Sequence, residues 1–280
     1  MGGLSKARLL SLSMSSERQQ RSALLRFRGQ ASARTETLLG AGAFVGLILF
    51  WQLIASFELM PARFLPGPLA VLEALGRMLF QNDFLSDIGI SIARVWVAFL
   101  LSVTMAVPLG IWMSSYRLVG ALTEPVVDFI RYLPVPALVP LLLIWLGIGE
   151  ESKIAVLWMG TFFQLVLLIA DDAKRVPWEY VEIGYTLGAR PRQIIRDIVV
   201  PSMAPSMVDN LRITLGWCWT YLIVAEIVAA NSGIGHAIWS MRRFVKTPEV
   251  MAGILTVGVI GLATDQLIRY AHRRYFRYLG

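Results

Sequence analysis

Residues 174–206 read KRVPWEYVEIGYTLGARPRQIIRDIVVPSMAPS, and their punctuation decides how the rest of the chain is organised. Pro177 can open a helix and Gly188 can close it; Pro191 can open a second and Pro201 can stop that one. The second segment carries Ile194, Ile195, Ile198 and Val199 as an apolar stripe, with Arg192 and Arg196 on other faces. Two short helices joined by a sharp turn make a hairpin suited to docking in a partner's groove. An ordinary ordered loop is the alternative that helix signals alone leave open.

Outward from this segment the chain is apolar on both sides. Of 280 residues, 56% are hydrophobic and only 16% charged, with a mean hydropathy of +0.61, which excludes a disordered chain and a water-facing globular surface. A helix that crosses a bilayer needs about 20 apolar residues. Six runs qualify: Thr37–Phe57, Ile88–Met113, Thr123–Leu146, Ile154–Ala170, Leu211–Ala230 and Met251–Ile268. The fold class expected is therefore an all-α membrane protein with about six transmembrane helices. Pro134, Pro136 and Pro140 predict that the third span is kinked or broken. After the first span, the segment Pro61–Pro68 breaks regular structure, and Leu69, Leu72, Leu75 and Leu79 then predict a short surface helix with Glu73 and Arg77 on its polar face.

The net charge of +7 is distributed in a telling way. With the amino terminus placed in the cytoplasm, 17 of the 26 Lys and Arg fall in cytoplasmic segments, six fall outside, and Arg94, Arg131 and Arg212 lie within or at the edges of spans. That bias follows the positive-inside rule and puts both termini in the cytoplasm. Residues 1–35 form a basic segment without a sustained apolar run, unlike a signal peptide, and residues 36–280 read as one transmembrane domain. The sequence assigns no specific role to the basic amino terminus or to the tail His272–Arg277; retention on the cytoplasmic side through anionic lipid is the simplest reading of both. The charge gives no reason to invoke nucleic acid. Cys218 is alone, so it forms no internal disulfide. The phosphate-cradling pattern G-x-x-x-x-G-K-[ST] is absent, as are H-E-x-x-H and G-x-S-x-G, and His236 and His272 show no metal-ligand spacing.

At this point the residues resemble a family. In the permease subunits of binding-protein-dependent ABC importers the cytoplasmic loop carries the EAA motif: a Glu, a Gly six positions later, an aliphatic residue ten after that and a Pro three further on. Glu182, Gly188, Ile198 and Pro201 stand at those offsets. The motif's two alanines are replaced here by Ile183 and Gly184, and Val200 stands where Leu is common. Phe64–Pro68, Ser91–Val95, Arg131–Pro136, Trp145–Glu150 with Ser152 and Lys153, and Ala225–Glu226 followed by Gly233–Gly235 extend the resemblance over roughly residues 60–270. They are most similar to the subgroup that imports nitrate, sulfonates such as taurine, or bicarbonate.

The resemblance implies a type I ABC importer permease fold, with residues 174–206 as the coupling-helix loop and the permease itself no enzyme. It also implies cytoplasmic ATP-binding subunits that use ATP and Mg, a periplasmic or extracellular solute-binding protein, a second permease copy in a homodimer, and residence in the bacterial inner membrane. Glu182, Gly188, Ile198 and Pro201 are then the candidates for coupling to the ATPase. Ionisable residues inside spans cost about 2.5–3.5 kcal/mol on insertion scales and default to functional hypotheses. Arg94 and Glu226 are candidates for the translocation pathway on that ground; Trp217 and Tyr221 join them because span five resembles the family's pathway-lining helix, and Gln164 because it can hydrogen-bond a passing solute, or equally a neighbouring helix. For Glu226, gating or an ion pair competes with solute contact; for Arg131, satisfaction by Glu124 and Asp128 on the same helix face competes with attraction of an anion. A self-sufficient secondary transporter is the alternative function, and a docking hairpin is the feature it would not need.

Overall fold

The computed structural model describes residues 32–57, 61, 63–81 and 83–277. Most of the basic segment 1–35 lies outside them. The described residues form helices and connecting turns, without a strand, as a chain that must satisfy its own backbone in lipid requires. Five helices are long and apolar enough to cross a membrane, and six spans result if one sharply bent pair is counted as a single span.

The chain divides into two units, Met1–Pro68 and Leu69–Gly280. The first holds α1 (Ala33–Ser56), which starts where the Ser32 hydroxyl accepts the Thr35 N–H at 3.2 Å. Trp51 Nε1 donates to the Pro66 carbonyl at 3.1 Å and ties the end of α1 to the proline-rich segment. Leu38, Phe44, Leu47 and Phe50 are exposed, as residues facing lipid are.

The second unit starts along α2 (Pro68–Gln81). Its stripe differs from the expected one: Val71, Ala74 and Met78 are buried, while Leu69 and Leu72 are exposed. Arg77 pairs with Glu249 at 3.7 Å rather than serving a local pair with Glu73. Then follow α3 (Phe84–Ser115), α4 (Arg117–Arg131), α5 (Val135–Leu146) and α6 (Glu150–Lys174). The third span is broken, as its prolines predict: α4 and α5 meet at 100°, and Pro134 sits at the junction where its missing N–H costs least. The expected triad on α4 divides, since Arg131 Nε pairs with Asp128 at 3.0 Å while Glu124 pairs with Lys174 of α6 at 3.3 Å.

After α7 (Trp178–Thr186) the chain forms α8 (Pro191–Ile194), a π-helical turn over Ile195–Val199 and α9 (Val200–Ala229). Here the structure corrects the sequence reading of Pro201, which does not stop the second hairpin helix. The Val200 N–H reaches back five residues to the Ile195 carbonyl. That wider turn spaces the backbone where the proline ring would otherwise meet the preceding turn, so α8 runs through the π turn into the membrane span without a break. Finally, α10 (Ile234–Arg242) lies between the last two spans and α11 (Thr247–Tyr275) closes the unit. The core is built mainly by α3, α6 and α9: Val95, Ala98, Leu157, Leu215 and Leu222 pack in one cluster. Ala106, Leu165, Ile169, Ile194 and Met203 pack in a second, nearer the hairpin. Ser102 and Thr161 hydrogen-bond at 2.8 Å where α3 and α6 cross.

Candidate functional site

Three places gather the residues singled out by the sequence. The first is the hairpin. Helix α7 ends in a paired-bond turn: the Ala189 N–H donates to the Gly184 carbonyl at 3.0 Å and the Gly188 N–H to the Tyr185 carbonyl at 2.9 Å, with Gly188 at φ +79°. This left-handed position suits glycine and sets the turn. The Gln193 side chain accepts the Arg190 N–H at 2.8 Å and starts the second helix. The inner faces meet at Gly184, where an added Cβ would stand 2.7 Å from Ile198 Cδ1 and 3.3 Å from Ile194 Cγ1. The motif's small residue is therefore a seat for Ile198. On the first hairpin helix and the turn after it, Trp178, Tyr180, Ile183, Tyr185 and Leu187 are all exposed, as is Glu182; Trp178 and Tyr185 border a cavity shared with Pro191, Ile194 and Val199. Pro201 is exposed in the first turn of α9.

The second place lies at the other end of the spans, because α6 starts there at Glu150 and reaches the hairpin at Lys174. Arg94 on α3 is 2% exposed and is ligated on every side. Its Nη1 donates to Glu226 Oε1 at 2.7 Å and to the Ser232 carbonyl at 2.8 Å. Its Nε and Nη2 hold the two oxygens of Glu150 at 2.6 and 2.7 Å, a fork geometry only arginine offers. Glu226 is fully buried and accepts the Ser91 hydroxyl and the Gly235 N–H, each at 2.7 Å. Ser91 in turn accepts the Ile234 N–H at 2.9 Å, and Asp87 accepts the Gly233 N–H at 2.6 Å. Lys153 adds a second cation on Glu150 at 2.8 Å. Gly233 holds φ +109°, and a Cβ there would collide with the Glu226 carboxylate and the Arg94 guanidinium. The Gly233–Gly235 turn thus wraps the ion pair with backbone. Arg94 and Glu226 are brought together and bonded to one another.

The third place is a cavity of about 200 Å³ beside the break between α4 and α5, midway along α6 and α9. Gln164, Trp217 and Tyr221 all line it, together with Arg131. Arg94 and Glu226 do not. The sequence missed the links from Arg94 to Glu150 and to the Ser232–Gly235 turn, because these partners lie 56 and 138 positions away in the chain. The one available signal was the Glu150, Lys153 and Glu226 charges at span ends.

Residues 106–277 match the family of binding-protein-dependent transport system inner membrane components. The chain belongs to this family. A Brucella melitensis chain that carries the name of an ABC transporter permease is 34% identical over 210 residues, covering 75% of this permease and 85% of the relative. The taurine transport system permease protein of Escherichia coli is 30% identical over 244 residues, 85% and 89% of the two chains. The bicarbonate transport system permease protein of Synechococcus elongatus is 25% identical over 252 residues, 86% and 90%. Among solved structures, an inward-facing methionine ABC transporter matches with a TM-score of 0.53 at 21% identity, over 64% of this permease and 92% of that chain. An amino acid ABC transporter matches with a TM-score of 0.55 at 17% identity, over 71% and 97%. At these identities the likeness is one of fold, and the fold is that of ABC importer permeases.

Proposed function

We propose that this permease carries a small anion inward across the inner membrane, driven by ATP hydrolysis on separate subunits that dock on the hairpin of residues 174–206. The observation that carries the reading is the outer face of that hairpin. Five large apolar side chains stand exposed along residues 178–187, Tyr180, Ile183 and Leu187 on one side of the helix, on an element tightly ordered by its own turn bonds and its Gly184 seat. An apolar patch rimmed by polar residues marks a binding surface, and a folded docking element is of no use to a transporter that works alone. The anionic class follows from the relatives named for taurine and bicarbonate transport.

In this reading the hairpin is cytoplasmic, so both termini are cytoplasmic and the Arg94 cluster faces the side from which a solute-binding protein delivers. Glu182 and the turn at Gly188 contact the ATPase, which holds ATP and Mg. Ile198 fastens the hairpin to α7, and Pro201 marks where it joins the span. A second copy of the permease completes the pathway, as closed two-fold assembly favours. ATPase closure then moves the hairpins, and the movement passes directly into α9 because no break separates α8 from the span.

The test is uptake of labelled taurine, nitrate or bicarbonate by the complex in proteoliposomes. Uptake that requires ATP and is abolished by Gly188→Asp in a normally inserted protein supports the proposal. Uptake without ATP, unaffected by that substitution, replaces it with a self-sufficient secondary transporter.

A further inference from the structure

We infer that the cavity beside the broken third span is a transit site for a small organic oxyanion, with the charged head held by Arg131, Gln164, Trp217 and Tyr221. The inference deepens the importer reading and rests on it. The cavity's lining includes one cation, Arg131, and no carboxylate. The side chains of Gln164, Trp217 and Tyr221 hydrogen-bond to no other described residue, so an amide, an indole N–H and a phenol O–H are open to a ligand. Indole N–H and guanidinium groups only donate, and the amide and phenol can donate as well. A lining rich in donors and free of anionic acceptors favours a group with several acceptor oxygens, such as a sulfonate or carboxylate, over a cation. Leu138, Met159 and Phe163 supply the apolar remainder of the wall, which suits a short carbon tail better than bare water.

Size and strength fit transit rather than storage. A cavity of about 200 Å³ is well above the space a single water needs and admits a small organic ion. Arg131 is already paired with Asp128 at 3.0 Å and donates to Tyr132 Oη at 3.0 Å. Its charge is therefore partly answered from outside the cavity, and the site attracts an anion without trapping it, as passage requires. The Tyr221 ring packs against Gly160, where any Cβ would strike it. Gly160 thus keeps the ring out of the space the ion would occupy.

The experiment uses Gln164→Cys in membranes of the native host, where the only natural cysteine, Cys218, is fully buried and reacts slowly. Methanethiosulfonate reagents bearing an ethylsulfonate or an ethyltrimethylammonium group are applied, with rates scaled to their reaction with a free thiol. Modification by the anionic reagent at least tenfold faster, slowed by millimolar taurine, and loss of that preference in an added Arg131→Gln background are expected. Equal rates, or faster modification by the cation, overturn the inference. As a check that needs no cysteine, Gln164→Glu should lower uptake at least tenfold while the co-purifying ATPase is retained; unchanged uptake also overturns it. An anionic preference in a chain that carries no ATPase would remove the importer reading and leave the anion site standing.

Discussion

The two ends of the spans are built on opposite principles. At one end, Arg94, Glu150, Glu226, Ser91 and the Gly233–Gly235 turn satisfy one another through short, directional bonds, with Arg94 and Glu226 almost wholly buried. At the other, the hairpin is held by apolar packing of Ile194 and Ile198 on Gly184 and turns Trp178, Tyr180, Ile183, Tyr185 and Leu187 outward. Buried ionic groups tolerate no missing partner, whereas an exposed apolar face has surface still to bury. One end is complete within the chain. The other, in the proposed reading, is finished by a partner.

The contrast is open to attack by substitution, beginning with the largest effect. Arg94→Ala leaves Glu226 buried without its cation and removes the fork that orients Glu150. A loss of about 3–5 kcal/mol is expected, read as a lower unfolding midpoint in detergent; a midpoint within error of the parent would show that the cluster does not hold the spans. Gly233→Ala forces a side chain into a left-handed conformation and against the ion pair. It should cost about 1–3 kcal/mol for the backbone alone, with hydrogen exchange accelerated first along α10. Gly188→Asp at the other end should barely register on the same scale. Its Cβ has no neighbour within 4 Å, so the cost is that of the left-handed backbone alone, about 1 kcal/mol for a residue that visits this region. Its defect should appear in uptake, not in the midpoint.

The same contrast explains what could be read from the sequence. Span number, the break at Pro134 and the helix–turn–helix of residues 174–206 were legible because each depends on local rules: apolar run length, a missing N–H, and a glycine at a left-handed turn. The stripe of α2 was misread because lipid accepts Leu69 and Leu72 as readily as a core does, so periodicity alone does not say which apolar face is inside. Pro201 was misread because a stop rule assumes regular α turns, and the π turn at Ile195–Val199 removes that assumption. Gln164, Trp217 and Tyr221 line one cavity, and their contact with solute is the matter of the labelling experiment. The Arg94 cluster was invisible as a unit, since its members come from α3, α6, α9 and the turn before α10. Only tertiary packing sets them within 3 Å.

What binds the hairpin tests the contrast between the two ends most directly. The chain, tagged and purified gently from the membranes of its native host, should bring an ATPase subunit identifiable by mass spectrometry. That subunit should be lost from Glu182→Arg and Gly188→Asp proteins whose unfolding midpoints match the parent. An ATPase retained at full stoichiometry by both variants, or absent from the parent chain, would contradict the claim that this end is completed by a partner.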